Sequence, residues 1–133
     1  MTALVTPDLD QALIDWAPGI LAGHGFVGWS AAAELAGDRT VAIFTTGGIG
    51  IVGGILDSPT VVVETAAATI TLAARALQVL RGLLRDLAGG WVPGSQVWLQ
   101  AYAEFAGPAW LPVEDHPNRH SMTLSLTVAT QPL

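Results

Sequence analysis

The stretch of residues 60–87, TVVVETAAATITLAARALQVLRGLLRDL, decides the fold because its hydrophobic period changes once. Residues 60–64 form a β-branched run typical of a strand, and their three consecutive valines predict burial on both faces. From Ile70 onward, apolar residues recur at intervals of three and four, which predicts a long amphipathic helix that ends at Gly89 and Gly90. The apolar positions are Ile70, Ala73, Leu77, Leu80, Leu84 and Leu87.

Further strands are predicted on both sides of this stretch. Residues 41–46 are β-branched and aromatic, and residues 96–106 form a longer run that Gly107-Pro108 should break. Residues 122–129 alternate between apolar and hydroxyl side chains, as a half-buried strand does. Residues 26–29 are a candidate for a short strand.

The N-terminal segment carries the signals of a helix start. Thr6 is a suitable N-cap, and Pro7 fits the first helical position. Pro18-Gly19 should end or kink this helix after about three turns. Together with the strands, these helices predict one α+β domain over residues 1–133, a mostly antiparallel sheet packed against an N-terminal helix and one long central helix.

The composition predicts an assembly rather than a monomer. Hydrophobic residues make up 51% of the 133 residues and charged residues only 12%, against a typical charged share of about 25%. Other subunits or partners are therefore expected to cover apolar surface. The net charge of −6 argues against sequence-specific nucleic-acid binding. The absence of cysteine excludes thiolate catalysis and Cys-based zinc sites.

No export signal or membrane span is predicted. No basic residue precedes the first acidic ones, so we expect synthesis in the cytoplasm without a signal peptide. The uncharged residues 40–56 are too few and too rich in glycine for a membrane-spanning helix. We therefore expect no membrane partner.

Residues 47–56 are uncharged and rich in glycine, which indicates a long hairpin connection or a mobile apolar loop. Residues 48–53 match the G-x-G-x-x-G string of dinucleotide sites, but that fingerprint needs a helix directly after it. Here Asp57-Ser58-Pro59 and the valine strand follow. An arm that packs against a neighbouring subunit fits better. A small ligand-binding or catalytic domain that uses loop 47–54 is the alternative from another class.

The histidines and serines do not form a recognisable catalytic or metal motif. His116 and His120 are four residues apart beside Glu114 and Asp115, but Pro117 argues against the helix that would align the imidazoles. A solvated turn over residues 114–120 is predicted instead. No serine lies in a G-x-S-x-G setting, and the carboxylates are scattered. We predict no enzyme, no cofactor and no metal.

Three of the five arginines, Arg75, Arg81 and Arg85, lie on the polar side of the predicted central helix. Such a stripe is usually a solvated helix face. Because the chain has so few basic residues, we predict that these three pair with Asp or Glu of a neighbouring subunit.

Several motifs occur in a characteristic order along the chain. They are a start helix ending in Trp16, Arg39-Thr40-Val41 leading into Gly47-Gly48, Leu56-Asp57-Ser58-Pro59-Thr60-Val61-Val62-Val63, an Ala-rich helix, Gly107-Pro108-Ala109-Trp110-Leu111-Pro112, and Pro117-Asn118-Arg119 before a terminal strand. In this order and spacing the chain resembles the tail terminator proteins of long-tailed, non-contractile (siphovirus-type) bacteriophages, particularly those of GC-rich actinobacteria. The resemblance covers most of the length.

The resemblance implies a subunit that forms a hexameric ring on the tail tube, stops polymerisation of the tube protein and docks the head-completion or connector protein. DNA would pass through the ring lumen, and the protein would belong to the virion at the head-proximal end of the tail. A head-to-tail joining or minor tail protein of the same assembly is the alternative. We expect contacts in hairpin loop 47–57, on the helix arginines and at Arg119. The expected contact residues are Gly47, Gly48, Ile49, Ile51, Val52, Ile55, Asp57, Arg75, Arg81, Arg85 and Arg119.

Overall fold

Helix α2 (Ile70–Leu87) forms where its period predicted it, in a computed structural model that describes residues 4–51 and 55–132. The Thr69 hydroxyl is the N-cap and accepts a hydrogen bond from the Leu72 N–H at 3.1 Å. Gly89, with φ of +85°, follows the helix end, where a left-handed residue is common. The buried face consists of Ala73, Ala76, Leu77, Leu80 and Leu84. The predicted helix is confirmed, although Ile70 at its start is exposed.

The other elements form a curved sheet with one helix layer. In chain order they are β1 (Leu4–Val5), α1 (Leu9–Gly23), β2 (Ser30–Ala32), β3 (Thr40–Ile51), β4 (Leu56–Ala66), β5 (Gly90–Trp91), β6 (Trp98–Trp110), β7 (His120–Ala129) and β8 (Gln131–Pro132). The six-stranded sheet has the order β2-β3-β4-β7-β6-β5, and β1 pairs separately with β8. The β2–β3 pair is parallel and the other described pairs are antiparallel. The predicted α+β class with a mostly antiparallel sheet is confirmed.

The core lies between the helices and one face of the sheet. Helix α1 packs on β2 and β3, and α2 packs on β4, β6 and β7. From Met122 to Ala129, strand β7 buries every second residue, which confirms the predicted alternation. Val61 and Val63 of β4 are fully buried, whereas Val62 on the opposite face is only half-buried. The prediction that β4 is buried on both faces is therefore wrong, because helices cover only one face.

Helix α1 differs from its prediction at both ends. Its N-cap is Asp8 rather than Thr6, and Asp8 Oδ1 accepts a hydrogen bond from the Gln11 N–H at 3.1 Å. The helix continues past Pro18 to Gly23. An interior proline costs a helix about 3 kcal/mol. Burial of the apolar face on both sides of the proline, including Leu21, offsets this cost.

The glycine-rich segment is mostly strand rather than loop. Residues 48–51 of β3 pair with residues 56–59 of β4, so the connection is confined to residues 52–55. A bulge between Thr45 and Gly48 places Gly47 at φ +119°, a backbone conformation that favours glycine. Of the two interpretations, the hairpin is confirmed with a shorter connection. Val52 lies outside the described residues.

Two other local predictions are wrong. Gly107-Pro108 does not end β6, which continues to Trp110 through register shifts between Glu104 and Ala109. Proline is tolerated there because this part of β6 lies at the sheet edge and Pro108 falls in a register shift, where it pairs with no residue of β7. Residues 26–29 are turns and irregular chain, and the neighbouring strand is β2.

Candidate interaction surfaces

The outer edge of β6 is a long free sheet edge. Strand β5 pairs with Trp98 and Leu99 only, and no described strand pairs with the outer side of residues 100–110. Free strand edges offer unpaired N–H and C=O groups to another chain. Four large apolar side chains are exposed along this edge and the loop that follows it: Phe105 (67%), Trp110 (53%), Leu111 (48%) and Val113 (40%). We call these four residues the apolar margin.

The loop after β6 is stabilised by its own hydrogen bonds. The Leu111 N–H donates to the Arg119 carbonyl at 2.9 Å, and Arg119 Nε donates to the Leu111 carbonyl at 2.6 Å. Val113 and His116 exchange backbone hydrogen bonds at 3.2 and 3.1 Å. Trp110 Nε1 donates to the Pro117 carbonyl at 2.8 Å. Trp110, Leu111 and Val113 of the margin thus belong to a network of local hydrogen bonds, which favours the conformation that presents them.

Arg81 has a partner within its own chain. Its Nη2 donates to Glu104 Oε2 at 2.8 Å and its Nε to Glu104 Oε1, and the Tyr102 hydroxyl donates to Glu104 Oε1 at 2.6 Å. The hydrogen bonds from Arg81 and Tyr102 lower the pKa of Glu104 to about 2. Burial and the hydrogen bond to Glu104 raise the pKa of Tyr102 to about 12. At Arg81, Glu104 of the same chain therefore competes with the predicted acidic partner from another subunit.

Arg119 is likewise paired internally. Its Nη1 donates to Glu64 Oε2 at 2.9 Å, and this ion pair is mostly shielded from solvent. The pair borders an open cavity of about 330 Å³, which Phe44, Glu34 and His116 also line. Arg119 therefore joins β4 to the loop after β6.

The remaining described arginines have no carboxylate within ion-pair distance in residues 4–51 and 55–132. Arg39 Nη1 donates to the Val27 carbonyl at 3.1 Å. Arg39 and Arg75 border one open groove of about 420 Å³ together with His24, Phe26 and Val27. Val27 is 66% exposed. Arg85 is exposed farther along α2.

The predicted contact residues of the hairpin lie at its far end. Gly48, Ile49 and Ile51 are paired in β3 with Pro59, Ser58 and Leu56 of β4. Ile55 is exposed, and its carbonyl accepts a hydrogen bond from the Thr130 N–H at 2.9 Å.

Asp57 accepts a hydrogen bond from the Thr6 hydroxyl, which ties the hairpin to the terminal strand pair. A strand, not a helix, follows the G-x-G-x-x-G string. The arrangement that binds a pyrophosphate at a helix N-terminus is therefore not built here.

The histidine segment is only partly the predicted solvated turn. His116 closes a two-residue turn with Val113, whereas His120 begins β7 and is buried, with Nδ1 3.0 Å from the Asn118 carbonyl. Within the described ranges, no three His, Asp or Glu side chains come close enough to hold a metal ion.

Sequence reasoning missed the apolar margin and the groove at Arg39 and Arg75. The signal for the margin was the run of large apolar residues around a glycine-proline pair. That run predicted a broken strand, and the pairing of β5 that leaves the edge free could not be inferred from it.

Comparison with known proteins adds no assignment. The chain matches no protein-family model, and it matches no curated protein. Among the described residues, no helix combines the length and apolarity needed to cross a membrane.

Proposed function

We propose that this chain is a structural subunit of a bacteriophage tail, the terminator of a long-tailed, non-contractile phage. Six copies form a ring at the head-proximal end of the tail tube, stop addition of tube protein and offer a joint to the head-completion protein. The proposal combines the sequence resemblance with one structural observation, the apolar margin along the free edge of β6. The subunit acts by assembly and not by catalysis.

The margin supports association because exposed apolar side chains and free strand edges both favour a partner. Fully burying one such side chain contributes about 1.5–3 kcal/mol, so covering four half-exposed ones contributes roughly 4 kcal/mol. Association of two proteins costs about 4–15 kcal/mol in lost freedom of motion. The margin therefore only just offsets the low end of this cost, and a stable ring requires a second contact.

The negative charge of the subunit suits the proposed passage of DNA through the ring. Each subunit has a net charge of −6. Acidic surface near the lumen would repel phosphate groups and keep DNA from adhering to the ring.

The test is a tube-assembly assay with the tube protein encoded in the same genome. We expect the wild-type protein to cap one end of the tubes in electron micrographs and to shorten the tubes in proportion to the amount added. The variant Phe105→Ser, which removes the most exposed side chain of the margin, should lose most of this effect. The control Ile70→Ser removes an exposed apolar side chain elsewhere and should cap normally. Tubes of unchanged length with wild-type protein would refute the proposal.

A further inference from the structure

Two surface features of this chain are complementary in charge and in apolar character. The first is the groove bordered by His24, Phe26, Val27, Arg39 and Arg75, which we call the basic groove. Its two arginines have no described carboxylate partner, and Asp38, next to Arg39 in sequence, forms no ion pair with it. Arg39 and Arg75, beside the exposed Val27, therefore suit a binding partner that is both acidic and apolar.

The second feature is the tip of the hydrogen-bonded loop after β6, residues 111–115, which we call the acidic tip. It presents two apolar side chains, Leu111 and Val113, followed by two carboxylates, Glu114 and Asp115. All five residues of the tip are exposed. Neither carboxylate forms an ion pair with a described residue. The acidic tip therefore carries the negative charges that would pair with the two arginines of the basic groove.

We infer that the acidic tip of one copy docks in the basic groove of the next copy. This inference rests on the proposed function, because the ring supplies the neighbouring copy. Leu111 and Val113 of the tip also belong to the apolar margin, so this docking adds charge pairs with Arg39 and Arg75 to the apolar burial already counted.

The placement of the two features suits a ring. The groove lies where α1 ends, beside the first half of α2. The tip is a different surface, because Val113 lines the cavity with Glu34 and Phe44 and no groove residue borders that cavity. Two different surfaces of the same chain that fit each other make a head-to-tail contact, and repetition of such a contact gives a ring when the rotation between copies closes and a filament when it does not. A self-complementary contact would instead stop at a dimer.

Opposite charges across a contact also select the partner. Close charge pairs at protein interfaces contribute measurable coupling, and juxtaposed like charges are repulsive. A tip whose charge is reversed would therefore be repelled by the groove.

The test exchanges the charges of the two features. A groove variant carries Arg39→Glu and Arg75→Glu, and a tip variant carries Glu114→Arg and Asp115→Arg. Each variant alone places like charges together and should raise the concentration for half-assembly about tenfold or more, measured by light scattering. A mixture of the two variants should assemble like wild type, because every contact in an alternating ring then joins opposite charges.

Matched controls separate this inference from the proposed function. Asp86→Arg reverses an exposed charge on the same helix outside the groove and should leave assembly unchanged. Circular dichroism checks folding, and if the groove variant does not fold, Arg75→Glu replaces it and is mixed with Glu114→Arg.

The inference would be overturned if either variant alone formed rings normally, or if the mixture did not assemble. Neither result would contradict the proposed ring of the wild-type protein. A wild-type chain that never assembles would overturn both.

Discussion

At the scale of single residues, Glu104 shows how a carboxylate on the sheet is held by the helix above it. Arg81 and Tyr102 both donate to it, and its pKa falls from 4.5 to about 2. A carboxylate with a lowered pKa in the folded state contributes stability above its unfolded pKa and loses it as the pH falls through the folded value. This contribution is therefore full above about pH 4.5 and fades between pH 4.5 and 2.

The variant Glu104→Gln should lower the free energy of unfolding by about 1 kcal/mol at pH 7, because the pair is partly exposed and screened by solvent. Urea unfolding measures this difference, which should shrink as the pH is lowered from 4.5 toward 2. Asp86→Asn is the control, since Asp86 is an exposed acid of α2 without a described ion pair. An equal loss at pH 7 and pH 2 would contradict the electrostatic explanation.

Two glycines should respond in opposite directions to substitution by alanine. Gly47 has φ +119° in the bulge of β3, so Gly47→Ala should destabilise by about 1–3 kcal/mol through backbone strain alone. Gly82 lies in the middle of α2 with open space where the methyl group of an alanine would lie, so Gly82→Ala should stabilise by about 0.5–1 kcal/mol. Thermal unfolding of both variants measures this, and changes of the same sign would contradict the assigned backbone conformations.

Residue pairings could not be predicted from the sequence. Arg81 and Glu104 lie 23 positions apart, and Arg119 and Glu64 lie 55 apart. Each pair depends on which strand lies under which helix or loop. The sequence predicted arginines on a polar helix face correctly, but only the strand order gives Arg81 its partner.

At the scale of elements, the N-cap of α2 offers a direct test of how the helix begins. The Thr69 hydroxyl accepts the Leu72 N–H, so Thr69→Ala should lower the free energy of unfolding by about 1 kcal/mol. Thr71, two residues on, is exposed and makes no described side-chain hydrogen bond. Thr71→Ala should therefore be neutral or slightly stabilising. Equal losses in urea unfolding of the two variants would place the helix start elsewhere.

Elements with a strong hydrophobic period could be predicted from the sequence. Elements whose ends depend on packing against neighbouring elements could not. Helix α2 and the alternating strand β7 follow their patterns closely. The passage of α1 through Pro18 and of β6 through Pro108 depends on burial in one case and on a free edge in the other. Local propensity at each proline predicted an end that the surrounding structure overrides.

At the scale of the whole molecule, the low charge content of the sequence and the exposed side chains of the fold both indicate apolar surface that a partner would cover. The sequence predicted that apolar surface would need covering, and the structure locates such surface along β6 and the loop after it. Of the predicted contacts in the glycine-rich segment, Gly47, Gly48, Ile49, Ile51 and Asp57 are strand residues of a hairpin. Two of the four predicted arginines are paired internally. Composition could predict that apolar surface is exposed but not its position, which depends on which strand lies at the sheet edge.

The most direct test of the assembly is the mass of the wild-type protein in solution over a wide concentration range, measured by light scattering with electron micrographs of the same samples. The ring predicts particles of six copies, about 83 kDa for a chain of 13.8 kDa, with a central hole. A mass of one chain at every concentration would contradict a self-assembling subunit.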